Sequence, residues 1–412
     1  MPRPALIKQL VDAFSAMPVI DAHEHLPPER DRVARRVDVF TLFDHYTRLD
    51  QLTAGLSPKD QERVFDPDLP LELRWKLFRP VLANIRFGSY ARPAFMAAKR
   101  FYGFDDIDDE TYAPLSKAMQ KANKPGLYKR VLIDTCGIEA ALTQQARTDY
   151  DEEYLIPVMP VDTYAAVSTW DQIAQRGRQV DDEAPESLDE YLDITREGLR
   201  QWKDERVVGL KMTSRTYGHP DRAQAWELFE GLRTGSCTGL PDLNPLRDYL
   251  LDCMLRMASE EGLVVAVHTG MWGDFRTLEA THMIPLIQRH PATRFDLYHA
   301  GMPSVREAGV MGKNFGNVWL NLCWCHIISP TMTRTFLGEW IDMVPVNKII
   351  AFGGDYCHPV EKVYGHLMMA RENLAHVFAA RIEEGLMDKD DALALGRQWF
   401  YETPKALYGL GA

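Results

Sequence analysis

The stretch Asp21-Ala22-His23-Glu24-His25 carries the densest chemistry in the chain. It closes the apolar run Val19–His23. Side chains two apart on a strand share a face. His23 and His25 therefore present two imidazoles to one point, while Glu24 faces the other way and reads as structural. Imidazole is a common neutral ligand for zinc and related ions. A lone His-x-His pair is a weak signal, and its weight comes from what ends the other apolar runs. Lys211 closes Val-Val-Gly-Leu-Lys211, His268 closes Val-Ala-Val-His268, His299 closes Asp-Leu-Tyr-His299, and Asp355 closes Ile-Ala-Phe-Gly-Gly-Asp355. A divalent ion among such donors lowers the pKa of water to about 7. A carboxylate beside that water can act as general base. The ion must also keep a coordination position open for substrate.

These side chains can meet only if the runs that carry them are strands ending on one face. Eight such runs occur: Val19–His23, Val131–Asp134, Leu155–Pro160, Val207–Lys211, Leu263–His268, Arg294–His299, Val318–Leu322 and Ile349–Asp355. Near-continuous apolar runs suit strands buried on both faces of a parallel sheet. Helical patterns lie between most of them. Leu246–Glu261 places Leu246, Leu250, Leu251, Met254, Leu255 and Ala258 at helical spacing and stops at Gly262. Met283–His290, Val305–Phe315 and Met332–Val344 are shorter candidates. The alternation predicts an α/β fold, a (β/α)8 TIM barrel, whose strand ends converge on the face where active sites are built. A doubly wound open sheet would usually bring a glycine-rich phosphate loop after its first strand, and none is present.

Residues 1–25 and 131–412 are assigned to the barrel. Residues 26–130, with helical stretches Leu71–Ile85 and Ala94–Tyr102, form a helical insertion after strand one that caps the mouth. Residues 161–206 form a second insertion, with the charged stretch Gln179–Glu186 as a solvated loop.

A chain of 412 residues accommodates a barrel of about 250 residues plus a large insertion. Hydrophobic content of 46% and charged content of 26% are those of an ordinary globular protein. The formal net charge of −12 argues against binding nucleic acid or an anionic membrane. No apolar stretch has the length of a membrane span. Residues 4–14 put Leu6, Ile7, Leu10, Val11 and Phe14 on one helical face, with Lys8 and Asp12 interrupting, which is not a secretory signal. The six cysteines form no Cys-x-x-Cys pair, so a reducing cytoplasm is expected. Cys323 and Cys325 read as small buried residues, although one of them could face the mouth. The expected partner is a small molecule. Self-association into a homo-oligomer is left open.

The chain resembles the amidohydrolase superfamily of metal-dependent enzymes. The resemblance rests on His-x-His at strand one, Lys at strand four, His at strands five and six, and Asp at strand eight, and on the ending Trp399-Phe-Tyr-Glu-Thr-Pro-Lys-Ala-Leu-Tyr-Gly-Leu410. Phe352-Gly-Gly-Asp355-Tyr and His268-Thr-Gly are similar to the amidohydrolase-related branch, which includes hydrolases, lactonases and nonoxidative decarboxylases. His23-Glu-His25-Leu-Pro-Pro before a long helical insertion is similar to the uronate isomerases. Those carry an Arg two residues after the strand-eight Asp. Cys357 stands there in this chain, which argues against isomerase activity.

The resemblance implies one metal ion on His23, His25, His268 and Asp355, with His299 polarising water or substrate and Asp355 also taking a proton. Zinc is the default for three His and one Asp, and manganese, iron and cobalt also fit. Lys211 decides between one metal and two. In binuclear relatives it is carboxylated and bridges a second ion. In mononuclear relatives it stays an amine that contacts an anionic substrate, the reading favoured here. Arg215 and Tyr217 after strand four, and Trp272 and Arg276 after strand five, are candidate substrate contacts. An Arg there could clamp a carboxylate. His326 and His358 lie near the expected mouth and are weaker candidates. The expected activity is metal-dependent hydrolysis of a small amide, ester or lactone. Nonoxidative decarboxylation, sugar-acid isomerisation and a non-catalytic metal-binding barrel are the alternatives.

Overall fold

The computed structural model describes Arg3–Gly411. Eight parallel strands pair in consecutive order: β1 (Val19–Glu24), β2 (Ile138–Thr143), β3 (Leu155–Pro160), β4 (Gly209–Thr213), β5 (Val264–His268), β6 (Phe295–Leu297), β7 (Val318–Asn321) and β8 (Ile349–Ile350). The chain beyond β8 stays extended and returns to β1. Ala22 N donates to Phe352 O at 3.1 Å, Asp355 N to His23 O at 2.8 Å, and His25 N to Tyr356 O at 3.1 Å. These bonds close the sheet into a barrel. Leu407 and Tyr408 of the terminal helix Thr403–Tyr408 pack with Ala22, Leu142, Val158, Val264 and Ile350. Among the described residues no helix is long and apolar enough to cross a membrane.

The second strand lies later than expected. Val131–Asp134 belongs to a wide helical turn, Lys129–Thr135, and buries Val131 and Leu132. A short apolar run bounded by charges suits a buried helical turn as well as a strand. Gly137, at φ +71°, ends that turn, and β2 begins at Ile138. Its sequence Ile-Glu-Ala-Ala-Leu-Thr is poor in strand formers. The helical stretch of the first insertion therefore runs to Thr135. The expected strand end at Lys211 also moves, and β4 continues to Thr213.

The first insertion has a core of its own, built from Phe40, Phe43, Trp75, Phe78, Ile85, Leu115 and Met119. Helix Leu71–Ile85 matches its predicted span. The residues after it form helix Arg92–Ala97 and a wide turn, Ala98–Tyr102. The second insertion contributes helices Asp162–Ala165, Trp170–Asp181 and Leu188–Asp204, with Asp181, Asp182 and Glu183 exposed between the last two.

One buried ion pair ties the cap to the barrel. Arg32 donates to Glu361 Oε1 at 3.1 Å, to His358 O at 2.7 Å and to Asn123 Oδ1 at 2.5 Å. Tyr102 Oη donates to the same Glu361 at 2.7 Å. Removing one partner of such a pair strands the other charge in a buried site. Arg32→Ala is expected to cost about 3–5 kcal/mol in urea unfolding. A loss below about 1 kcal/mol, the ceiling for an exposed pair, would contradict this anchoring role.

Candidate active site

The strand ends bring the ligand candidates to one point. Nε2 of His23 lies 3.2 Å, and Nε2 of His25 3.3 Å, from the same Asp355 Oδ1. His25 Nδ1 lies 2.9 Å from Gln144 O. A carbonyl only accepts, so Nδ1 carries the proton and the Nε2 lone pair faces Asp355. His299 Nδ1 is 3.8 Å from Asp355 Oδ2, and its Nε2 is 3.0 Å from His268 Nδ1. Lys211 Nζ lies 3.4 Å from His23 Nε2 and 4.1 Å from the Tyr298 ring centre. Ligand-capable atoms of His23, His299 and Asp355 all lie within 4.8 Å of one another. The tight group thus includes His299, which was expected beside the ion, while His268 stands one residue further out, against His299.

Burial sets the charge states. It drives His23 and His299 well below the ordinary imidazole value, lowers His25, and takes His268 to about 3. All four rings are therefore neutral at pH 7. Burial opposes ionisation of Asp355, and positive charge at the imidazole positions, His23 foremost, is what draws it well below the usual carboxylate range; with the rings neutral, a cation between them would supply that charge. Burial brings Lys211 down to about 8. Neutral imidazole lone pairs meeting a carboxylate at one point repel one another unless a cation lies between them. Two neutral imidazoles and a carboxylate are also the donors that zinc-like ions take, so the residues fit a divalent ion.

Sequence reasoning missed the contribution of the cap. His45, at φ +67°, turns the chain so that Tyr46 lies against Asp355. The Tyr46 ring stacks between Tyr90, at 5.5 Å, and Trp272, at 5.7 Å. Trp324 lies 6.1 Å from Tyr46 and 5.6 Å from His299. These rings roof the site. Cap residues end no strand, so strand-end reasoning could not find them. The available signal was a His-Tyr pair in the short break between the apolar turn Val39–Phe43 and the polar helix Thr47–Thr53.

The remaining candidates divide. Trp272 joins the roof. Arg215, Tyr217 and Arg276 line a cavity of about 780 Å³ with Thr213, Arg247 and His282. Thr213 pairs with His268 across β4 and β5, so this cavity adjoins the site. Arg276 is exposed and already gripped by Asp274 at 2.7 and 2.6 Å. Arg215 makes one long bond, 3.3 Å, to Asp242. His326 is buried away from the ligands, with Nε2 2.8 Å from Ala351 O and Nδ1 3.2 Å from Asn373 Nδ2. His358 receives Arg32 on its carbonyl, on the cap side. Cys323 is buried with Sγ 3.4 Å from His299 Nδ1, and all six cysteines are free thiols.

The amidohydrolase family model matches residues 161–410, more than half of the chain. The chain belongs to the amidohydrolase family. A uronate isomerase of Cutibacterium acnes is 22% identical over 98% of this chain and 96% of its own length. Protein fluG of Emericella nidulans is 24% identical over 40% of this chain, and the match spans only 20% of fluG. Among solved structures, a uronate isomerase from Thermotoga maritima superposes with a TM-score of 0.78 at 17% identity, covering 98% of this chain and 97% of the other. That superposition supports the (β/α)8 fold.

In this amidohydrolase, Cys357 places its Sγ 3.7 Å from His45 Nε2, at the mouth. His326 offers a test of how strongly the interior disfavours charge. Burial lowers it from the ordinary 6.5 to about 4. Below pH 6.5 the unfolded chain takes a proton that the folded His326 refuses, so its contribution to stability is lost as pH falls from 6.5 to about 4. At 1.36 kcal/mol per pKa unit this amounts to roughly 3 kcal/mol. His326→Gln keeps both hydrogen bonds and is expected to lose about that much less stability than wild type between pH 7 and pH 4. Parallel pH–stability curves would contradict it.

Proposed function

We propose that this amidohydrolase hydrolyses a small amide, ester or lactone with one divalent ion, zinc by default, held by His23, His25, His268 and Asp355. The observation that carries the reading is the convergence of His23 Nε2 and His25 Nε2 on one oxygen of an ionised, buried Asp355. When bound, the ion would polarise a carbonyl and lower the pKa of water toward 7.

The protein supplies the rest. Asp355 takes the proton of the attacking water and returns it to the leaving group, as general base and then general acid. His299, neutral and buried, orients the carbonyl from the β6 side. Lys211 stays an amine; with a pKa near 8 it is mostly protonated at neutral pH and can face an anionic substrate. Carboxylation of Lys211 would instead admit a second ion. The roof of Tyr46, Tyr90, Trp272 and Trp324 excludes bulk water, which strengthens electrostatic interactions beneath it. The cavity beside His268 receives the remainder of the substrate, with Arg215 the cation there least occupied by protein acids. The free thiols fit a cytoplasmic enzyme.

Sugar-acid isomerisation is the second reading. It is favoured by the match to uronate isomerases along nearly the whole chain, cap included. It is opposed by Cys357 in place of the arginine.

Panels of lactones, esters, amides, aromatic acids and uronates separate the readings. Hydrolysis of at least one carbonyl substrate is expected. Asp355→Asn should lower its rate by about 10²–10⁴-fold, the range for loss of a general base, and should also lower metal content. Turnover of uronates alone would overturn the hydrolase reading. An unchanged metal content in both Asp355→Asn and His23→Ala would overturn the metal site itself.

A further inference from the structure

The cavity beside the site is lined by three arginines, Arg215, Arg247 and Arg276, and they are not equally committed. Arg276 holds Asp274 with Nε at 2.7 Å and Nη2 at 2.6 Å. Arg247 donates from Nη2 to Asp162 Oδ1 at 2.8 Å, and from Nη1 to the Asp242 carboxylate and, at 3.2 Å, to the Asp242 carbonyl. Arg215 makes only the 3.3 Å bond from Nη1 to Asp242. Its Nε and Nη2 are buried and meet no acceptor among the described residues. Those two nitrogens form an edge with which a guanidinium grips a carboxylate at two points. The same edge is filled on Arg276, and on Arg306, which holds Glu339 with Nε at 2.9 Å and Nη2 at 2.7 Å. On Arg215 it is idle, and buried donors left without acceptors are costly.

The position of Arg215 connects it to the strand-end residues. Lys211, Thr213 and Arg215 follow one another at every second position, the spacing that keeps side chains on one face of a strand. β4 ends at Thr213, and Ser214 N extends its pairing with β5 by donating to His268 O at 2.8 Å. Lys211 Nζ lies 3.4 Å from His23 Nε2, while Thr213 and Arg215 line the cavity. This file of side chains leads from the converging ligands outward. Tyr217, Leu243 and Leu278 give the cavity an apolar wall. Tyr217 Oη donates to Thr213 O at 2.6 Å, and its ring centre lies 5.0 Å from Arg215 Cζ.

We propose that Arg215 determines specificity, and that the substrate is an amide, ester or lactone that also carries a free carboxylate. Its reacting carbonyl lies at the ion, its apolar body along Tyr217, Leu243 and Leu278, and its carboxylate on the Nε–Nη2 edge of Arg215. Binding turns the guanidinium on the Tyr217 ring and gives up only the long bond to Asp242. Asp242 is exposed and keeps Arg247, so that loss is small. Arg247 and Arg276 already hold protein carboxylates, which leaves Arg215 as the arginine of this cavity with a free grip. Arg215 binds the end of the substrate away from the reacting bond and moves no proton.

The substrate class rests on the hydrolase reading, and two measurements keep their failures apart. The first is calorimetric titration of the purified protein with benzoate and with benzamide, which share a ring and differ in charge. Wild type should bind benzoate about 10–100-fold more tightly, the range for hydrogen bonds to a charged group, and Arg215→Gln should lose that preference. Arg215→Lys keeps the charge without the fork and should keep only part of it. No preference in wild type, or benzoate bound equally well by Arg215→Gln, overturns the anion site whether or not the protein hydrolyses anything. Arg215→Lys equal to wild type overturns the two-point grip, a comparison that stands should Arg215→Gln not fold. The second measurement is hydrolysis of dicarboxylic acid monoesters against the same esters with the free acid converted to a carboxamide. Wild type should favour the acids in kcat/KM, and Arg215→Gln should raise KM for the acids with little change in kcat, the signature of lost uniform binding. Equal kcat/KM for acid and carboxamide overturns the substrate class. Hydrolysis of neither, with the benzoate preference intact, overturns the hydrolase reading and the substrate class with it but leaves the anion site standing.

Discussion

The barrel closes at one seam, and the site is made of that seam. The last residues of β1 need backbone partners on their open side. The glycine-rich segment after β8 supplies them through Phe352 O, Asp355 N and Tyr356 O. Closing the sheet this way forces His23, His25 and Asp355 into contact, since they alternate along two chains in mutual register. Gly353 permits the approach, because a Cβ there would lie 2.5 Å from Cys323 Cβ and 3.0 Å from His23 N. The proposed cation site and the closure of the fold are therefore one construction.

Low dielectric is the second consequence of that construction. The candidate ligands sit beneath aromatic rings and above the packed interior, so charge is costly on every imidazole, and an ionised Asp355 needs a positive charge beside it. The resulting set, neutral imidazoles with one carboxylate, is the protonation state a metal site needs without further proton loss. The cap contributes as much as the barrel. Tyr46 and Tyr90 reach the site from an insertion that keeps its own core and is anchored through Arg32, so the roof can vary with the cap while the ligands stay with the strands.

Legibility in the sequence followed the strength of the local pattern. Leu263–His268 is apolar up to a single histidine, and the strand Val264–His268, with His268 at its end, was readable from that. Leu155–Pro160 matched its strand to the residue. Val131–Asp134 misled because a buried helical turn and a buried strand look alike over a few apolar residues, and the real β2 hides its burial behind Glu139 and two alanines. His45 and Tyr46 were invisible because tertiary docking of the cap, not strand position, brings them to Asp355. Arg276 was a reasonable substrate contact on spacing, yet Asp274 occupies its guanidinium. Alternation was expected to turn Glu24 away from His23 and would also set it opposite Asp21, but the register of β1 shifts between Asp21 and Glu24, and their carboxyls accept from the backbone N–H groups of Gly354 and Tyr356 on either side of Asp355.

The proposed chemistry requires a cation at the point where His23, His25 and Asp355 meet. Diffraction from crystals of the purified protein, collected on both sides of the zinc, iron and manganese absorption edges, tests this directly. One anomalous peak is expected, bounded by His23, His25, His268 and Asp355, beside an unmodified Lys211. No peak at that point in protein purified without chelator and supplied with these metals, or a peak bound by other residues, would contradict it.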